Sequence, residues 1–160
     1  MKIKINKKLD KEVYLDFCDF SLEGVDFGKK IYKNHPTITK ENYDTYIDNF
    51  YLKHKNDLAE SLKEAKKCFG DIKIPLFSEL QKYFGNDYSQ KKYICFLSIF
   101  DCNPRYLETK TFQMYYERSY NMKKEIIAHE LTHFAFYDFC HELGINNTGT
   151  LWELSEIFNV

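Results

Sequence analysis

His129, Glu130 and His133 are the residues whose types and spacing could do chemistry in this chain. Four residues apart on a helix, the two histidines stand on one face, one turn from each other, close enough to share a metal ion. Glu130 lies about 100° round the helix from His129. A carboxylate there is poorly placed to be a third ligand, but it can reach a water held by the metal. Zinc lowers the pKa of such a water towards neutrality, and Glu130 can take its proton as general base. The hydroxide attacks a peptide carbonyl, and Glu130 passes the proton to the leaving amine. The chemistry expected is zinc-assisted hydrolysis, with one Zn2+ ion and a peptide or protein as substrate.

The elements that must position these side chains are legible in outline. Ile126, Ile127, Ala128, Leu131, Phe134, Ala135 and Phe136 surround the motif and predict a largely buried helix over 122–143. Ser119 or Asn121 caps its start and Gly144 ends it. Before it, 93–100 is an almost continuous apolar run of strand length, 101–105 with Asn103-Pro104 reads as a turn, and 111–118 alternates. The two strands are expected to pair antiparallel. Upstream, Thr39 caps a long amphipathic helix from about residue 40 to Gly70, and Pro75 opens a short one closed by Gly85. Residues 1–38 read as irregular, with strand-like pieces at 3–5 and 13–20. Asp10, Asp16, Asp19 and Asp26 read as solvated loop carboxylates. Asn146 to Gly149 is a loop, and a last helix starts near Thr150.

Zinc needs a third protein ligand and one open position. A metzincin would place a histidine at position 139 and a glycine at 136, and both are Phe. His141 lies more than two turns along the helix and reads as a surface residue near its C-terminus, where the dipole favours its charge. The remaining candidates are Glu153 and Glu156, three apart on one face of the last helix. Only one of them need bind the metal.

From Ile127 to His133, followed by a helix-borne Glu, residues 111–160 resemble the gluzincin branch of zinc metallopeptidases, the thermolysin-like enzymes. The resemblance implies a Glu third ligand, a polar residue three positions on and an Asp four positions on. Glu156 has Asn159 at the third position and Val160 where the Asp would stand. Glu153 has the family spacing from His133, but Glu156 and Ile157 follow it. Glu156 is favoured, with Glu153 as the alternative. The family also implies a strand before the active helix that binds extended substrate, for which 111–118 is the candidate. A Tyr or His usually stabilises the oxyanion there; Tyr115, Tyr116, Tyr120 and Tyr137 are available and no motif selects among them.

Composition bounds the alternatives. With 23 basic against 24 acidic side chains and no strongly basic half, electrostatic nucleic-acid binding gains no support. No apolar run approaches the roughly 20 residues of a membrane span, and the first residues lack the apolar core of a signal peptide. The five Cys form no C-x-x-C pair, so free thiols in a reducing cytoplasm are expected. The fold class expected is α+β in one zincin-like domain over 1–160. Residues 1–90 are a mostly helical scaffold or prosegment, and 91–160 carry a small antiparallel sheet, the zinc-binding helix and a ligand-bearing C-terminal helix. A ligand in the last turn before Val160 would be poorly supported, so the chain is expected to continue beyond it. The competing reading is a non-catalytic, zinc-stabilised protein-binding domain with a degenerate metallopeptidase fold. Oligomeric state is not readable.

Overall fold

The computed structural model describes residues 1–22, 24–145 and 149–157. The fold class is α+β. A four-stranded sheet runs in the order β1 (Lys2–Ile5), β4 (Ile94–Ser98), β6 (Thr111–Tyr115), β5 (Arg105–Tyr106). A separate hairpin joins β2 (Ser21–Leu22) to β3 (Val25–Asp26).

The N-terminal region departs from expectation. Residues 13–20 do not form a strand; α1 spans Lys7–Phe17. Asn6 caps it by accepting from the Leu9 amide, and Asp10, Val13, Tyr14 and Phe17 recur at helical spacing towards the core. The β-prone character of Val13 and Tyr14 is outvoted by that stripe. Asp10 is not solvated either. It is 1 % exposed and joins α1 to the end of β4 and to α3 (Tyr43–Lys53). Its Oδ1 accepts from Ser98 Oγ at 2.6 Å, and its Oδ2 accepts from the Ile99 amide at 3.1 Å and from Tyr51 Oη at 2.6 Å.

Two further boundaries move. The helix expected from residue 40 to Gly70 breaks at His54, and α4 (Lys55–Phe84) then runs through both Gly70 and Pro75. Its buried positions, among them Ala65, Phe69, Phe77, Leu80 and Phe84, form one stripe across these two residues. Burial of that stripe outweighs the hydrogen bond that Pro75 cannot make. Gly85, at φ 80°, ends the helix as expected.

The sheet is mixed rather than antiparallel. β4 pairs parallel with both β1 and β6, and only β5 runs antiparallel, against β6. The reason lies in the 99–110 connection. It carries the chain back along β6 as β5, turning through Asn103 and Lys110, both with positive φ. The return leg thus fills the position beside β6 that an antiparallel partner would take.

Cys95, Leu97, Phe112 and Met114 are buried, and Phe112 meets Phe134 of α5 (Tyr120–Glu142) at 6.3 Å between ring centroids. α4 packs along α5 through Phe84 and Phe139 and through the Glu64–Lys123 ion pair, whose lysine is 2 % exposed. One hydrophobic core extends from Ile3 to Leu151, so residues 1–90 supply both a sheet strand and the helix that backs α5. All five cysteines are free and buried.

α2 (Phe27–Asn34) follows the hairpin, capped by Asp26. A side chain at Gly28 would collide with the backbone carbonyl of Cys18, at the end of α1. That close approach brings Phe17, Phe20 and Phe27 into mutual contact at 5.3–5.9 Å between centroids. Gly28→Ala is expected to destabilise the fold by about 2 kcal/mol, because backbone rather than a flexible side chain must yield. Urea unfolding checks this, and an unchanged midpoint would contradict the packing described.

Candidate metal centre

Ser119 opens α5 by accepting from the Met122 amide, as one of the two expected caps. The helix is buried on most sides: Ile127, Leu131 and Phe134 enter the core, and Glu130 and His133 are 6 % and 0 % exposed. α6 (Gly149–Ile157) lies against its second half. Leu151 is buried there, Ser155 is fully buried, and Tyr137 Oη lies 3.4 Å from Ser155 Oγ. This docking sets the register of α6 and brings Glu156, the residue after Ser155, to the histidines.

His129 Nε2 and His133 Nε2 are 2.9 Å apart. His133 Nε2 is 3.3 Å from Glu156 Oε1, and His129 Nε2 is 3.7 Å from Glu156 Oε2. The donor atoms of these three residues lie within 4.8 Å of one another. A tetrahedral zinc with bonds of about 2.0–2.1 Å has neighbouring ligand atoms about 3.3 Å apart, so the observed separations bracket what the ion requires. Glu153 is exposed and stands outside this cluster. The helical register of α6 therefore separates the two carboxylates that spacing alone left open. Asn159 and Val160 lie outside the described residues, as do Asn146, Asn147 and Thr148 of the expected loop.

The protonation states suit ligation. Burial holds His129 below the ordinary histidine range, against the pull of Glu156. Burial, then Arg105, then His129 push His133 down to about 3. Both shifts favour the neutral imidazole, the form that ligates a metal. Burial raises the Glu130 carboxyl to about 7, with Arg105 acting in the opposite direction.

Arg105 is the functional residue that sequence reasoning missed. It sits on β5, with 14 % of its side chain exposed. Its Nη1 donates to Glu130 Oε2 at 3.1 Å, and its Nη2 is 3.6 Å from Glu156 Oε1. A signal was present, since only Arg105 and Arg118 among the 23 basic residues are arginine. A chain that otherwise uses lysine keeps arginine where a forked, half-buried ion pair is made. Arg118 likewise pairs with Asp101.

A cleft of about 880 Å³ opens over the centre. His129, Glu130, Tyr137, Trp152 and Glu156 line it, with Arg105, Tyr106 and Leu107 along the sheet edge and Phe17, Phe20, Leu22 and Phe27 beyond. The expected substrate strand, 111–118, is not at this edge, because β6 is flanked by β4 and by β5. The edge strand that borders the cleft is β5. Of the four candidate tyrosines, Tyr137 lines the cleft; Tyr115 and Tyr116 donate to Glu117, and Tyr120 donates to Asp71. His141 is exposed in the last turn of α5.

No protein-family model, no curated protein and no solved structure matches this chain. No helix among the described residues is long and apolar enough to cross a membrane.

Proposed function

We propose that the chain is a zinc-dependent metallopeptidase of the gluzincin kind. The observation that carries this reading is the convergence of His129, His133 and Glu156 beside a buried Glu130 that faces a cleft. A zinc ion held there supplies Lewis-acid chemistry, activating water near neutral pH and polarising a carbonyl. Glu130 takes the proton from the attacking water and returns it to the leaving amine. Its carboxyl, held near neutrality, suits a group that must both accept and release a proton.

The chain's other residues supply binding. An extended peptide pairs with the edge strand β5 by backbone hydrogen bonds and runs past His129 and Glu130. Phe17, Phe20, Phe27 and Trp152 offer apolar surface to its side chains. Tyr137, which lines the cleft, is the tyrosine we assign to donate to a developing oxyanion. The free, buried cysteines suit a reducing compartment, and we place the protein in the cytoplasm.

Cleavage of an unfolded protein substrate should stop on chelation and return with added Zn2+; activity indifferent to both would reject the reading. Glu156→Gln should weaken zinc binding by at least about tenfold, and Glu153→Gln should leave it unchanged. The reverse pattern, read by titration against a chromophoric chelator, would move the ligand to Glu153.

A further inference from the structure

Arg105 takes no part in the hydrolysis just outlined, yet its guanidinium bridges Glu130 and Glu156. We propose that Arg105 is a built-in counter-cation that holds the metal-free centre together and limits its affinity for a divalent cation. The inference rests on the metal-centre reading and adds a regulatory property to it.

The geometry is specific. Glu156 Oε1 faces both His133 Nε2, at 3.3 Å, and Arg105 Nη2, at 3.6 Å. The carboxylate that completes the metal cluster is therefore also engaged by the guanidinium. A divalent ion held by the three donors would have to share its carboxylate ligand with this guanidinium or displace it. The backbone of Arg105 is tied to β6 by the pairing of Arg105 with Phe112. Its long side chain can swing into the adjoining cleft.

Two effects oppose each other. By holding Glu156 near the histidines, Arg105 lowers the cost of ordering that ligand, which favours metal binding. By placing a positive charge beside a doubly charged ion in a half-buried setting, it disfavours metal binding. The second wins, because charge repulsion over a few ångströms away from bulk water exceeds the ordering cost of one carboxylate side chain. Without metal the balance reverses. The buried Glu130 then depends on Arg105 for its compensating charge. Arg105 thus stabilises the empty protein and gives way when the centre is loaded.

The test is zinc affinity of the full chain, measured with Zn2+ alone against a chromophoric chelator, together with thermal unfolding in excess chelator. Arg105→Gln and Arg105→Ala should each bind Zn2+ at least about tenfold more tightly than wild type. Arg105→Lys, which keeps the charge, should stay within about threefold. In chelator, the two uncharged variants should unfold at lower temperature than wild type. A merely structural arginine would give that loss of stability without any gain in affinity. If both uncharged variants bind zinc no more tightly than wild type, the counter-cation role is overturned and the metal centre stands. If wild type and all variants take up no zinc, both fall together.

Discussion

Glu130→Gln is expected to lower peptide hydrolysis by about 10²–10⁴-fold, the range of a lost general base, while zinc binding persists. The substitution keeps the volume and one carbonyl oxygen of the side chain, so the 3.1 Å hydrogen bond from Arg105 can be retained. His129, His133 and Glu156, the three clustered donors, are untouched. The amide cannot accept a proton at any working pH, so the step assigned to Glu130 is removed without dismantling the site. Steady-state hydrolysis and zinc titration on the same preparations check both halves. Activity that survives the substitution would reject Glu130 as base. A zinc-bound wild type that cleaves nothing would favour the protein-binding alternative.

The largest effect on stability is expected at Asp10. Asp10→Ala strands the Ile99 amide and the hydroxyls of Ser98 and Tyr51 where α1, α3 and the end of β4 meet. Orphaned buried donors of this kind cost about 3–5 kcal/mol together, which lowers the melting temperature of a chain this size by roughly 10 °C. The pH dependence is a second, independent readout. Burial pushes the Asp10 carboxyl up from 3.8 to about 6, against the pull of its three donors. A carboxyl that holds its proton more tightly when folded adds stability that is full below the unfolded value and is lost as pH rises through the folded one. The loss amounts to roughly 3 kcal/mol between about pH 3 and 7. Asp10→Asn cannot titrate, so wild type minus Asp10→Asn should fall by that amount across this window. Urea unfolding at several pH values measures it, because other titrating groups are common to both proteins. A difference that is flat with pH would contradict the buried placement of Asp10.

How much was legible follows from the range of each interaction. The α5 helix, its Ser119 cap and its His–Glu–His face depend on neighbours within a few turns, and the sequence states them openly. Glu156 and Glu153 were both in view, but choosing between them needs the docking of α6 on α5 through Leu151, Ser155 and Tyr137, which no local spacing encodes. Parallel pairing of β4 with β6 was hidden for a related reason. The 99–110 segment looks like a turn, and only its two positive-φ residues let it return as the edge strand β5. The burial of Asp10 is hidden in the sequence, because a carboxylate among lysines resembles solvated surface and its donors lie some 40 and 90 positions away. Arg105 joins residues from three separate elements, so its role became visible only when β5, α5 and α6 were in place.

The most direct test of the central claim is the zinc content of the full chain after loading with Zn2+ and exhaustive desalting, read by elemental analysis. The account predicts one zinc per chain in the wild type and in Glu130→Gln, and a clear loss in His133→Ala. A wild-type chain that retains no zinc, or a His133→Ala chain that retains as much as the wild type, would contradict it.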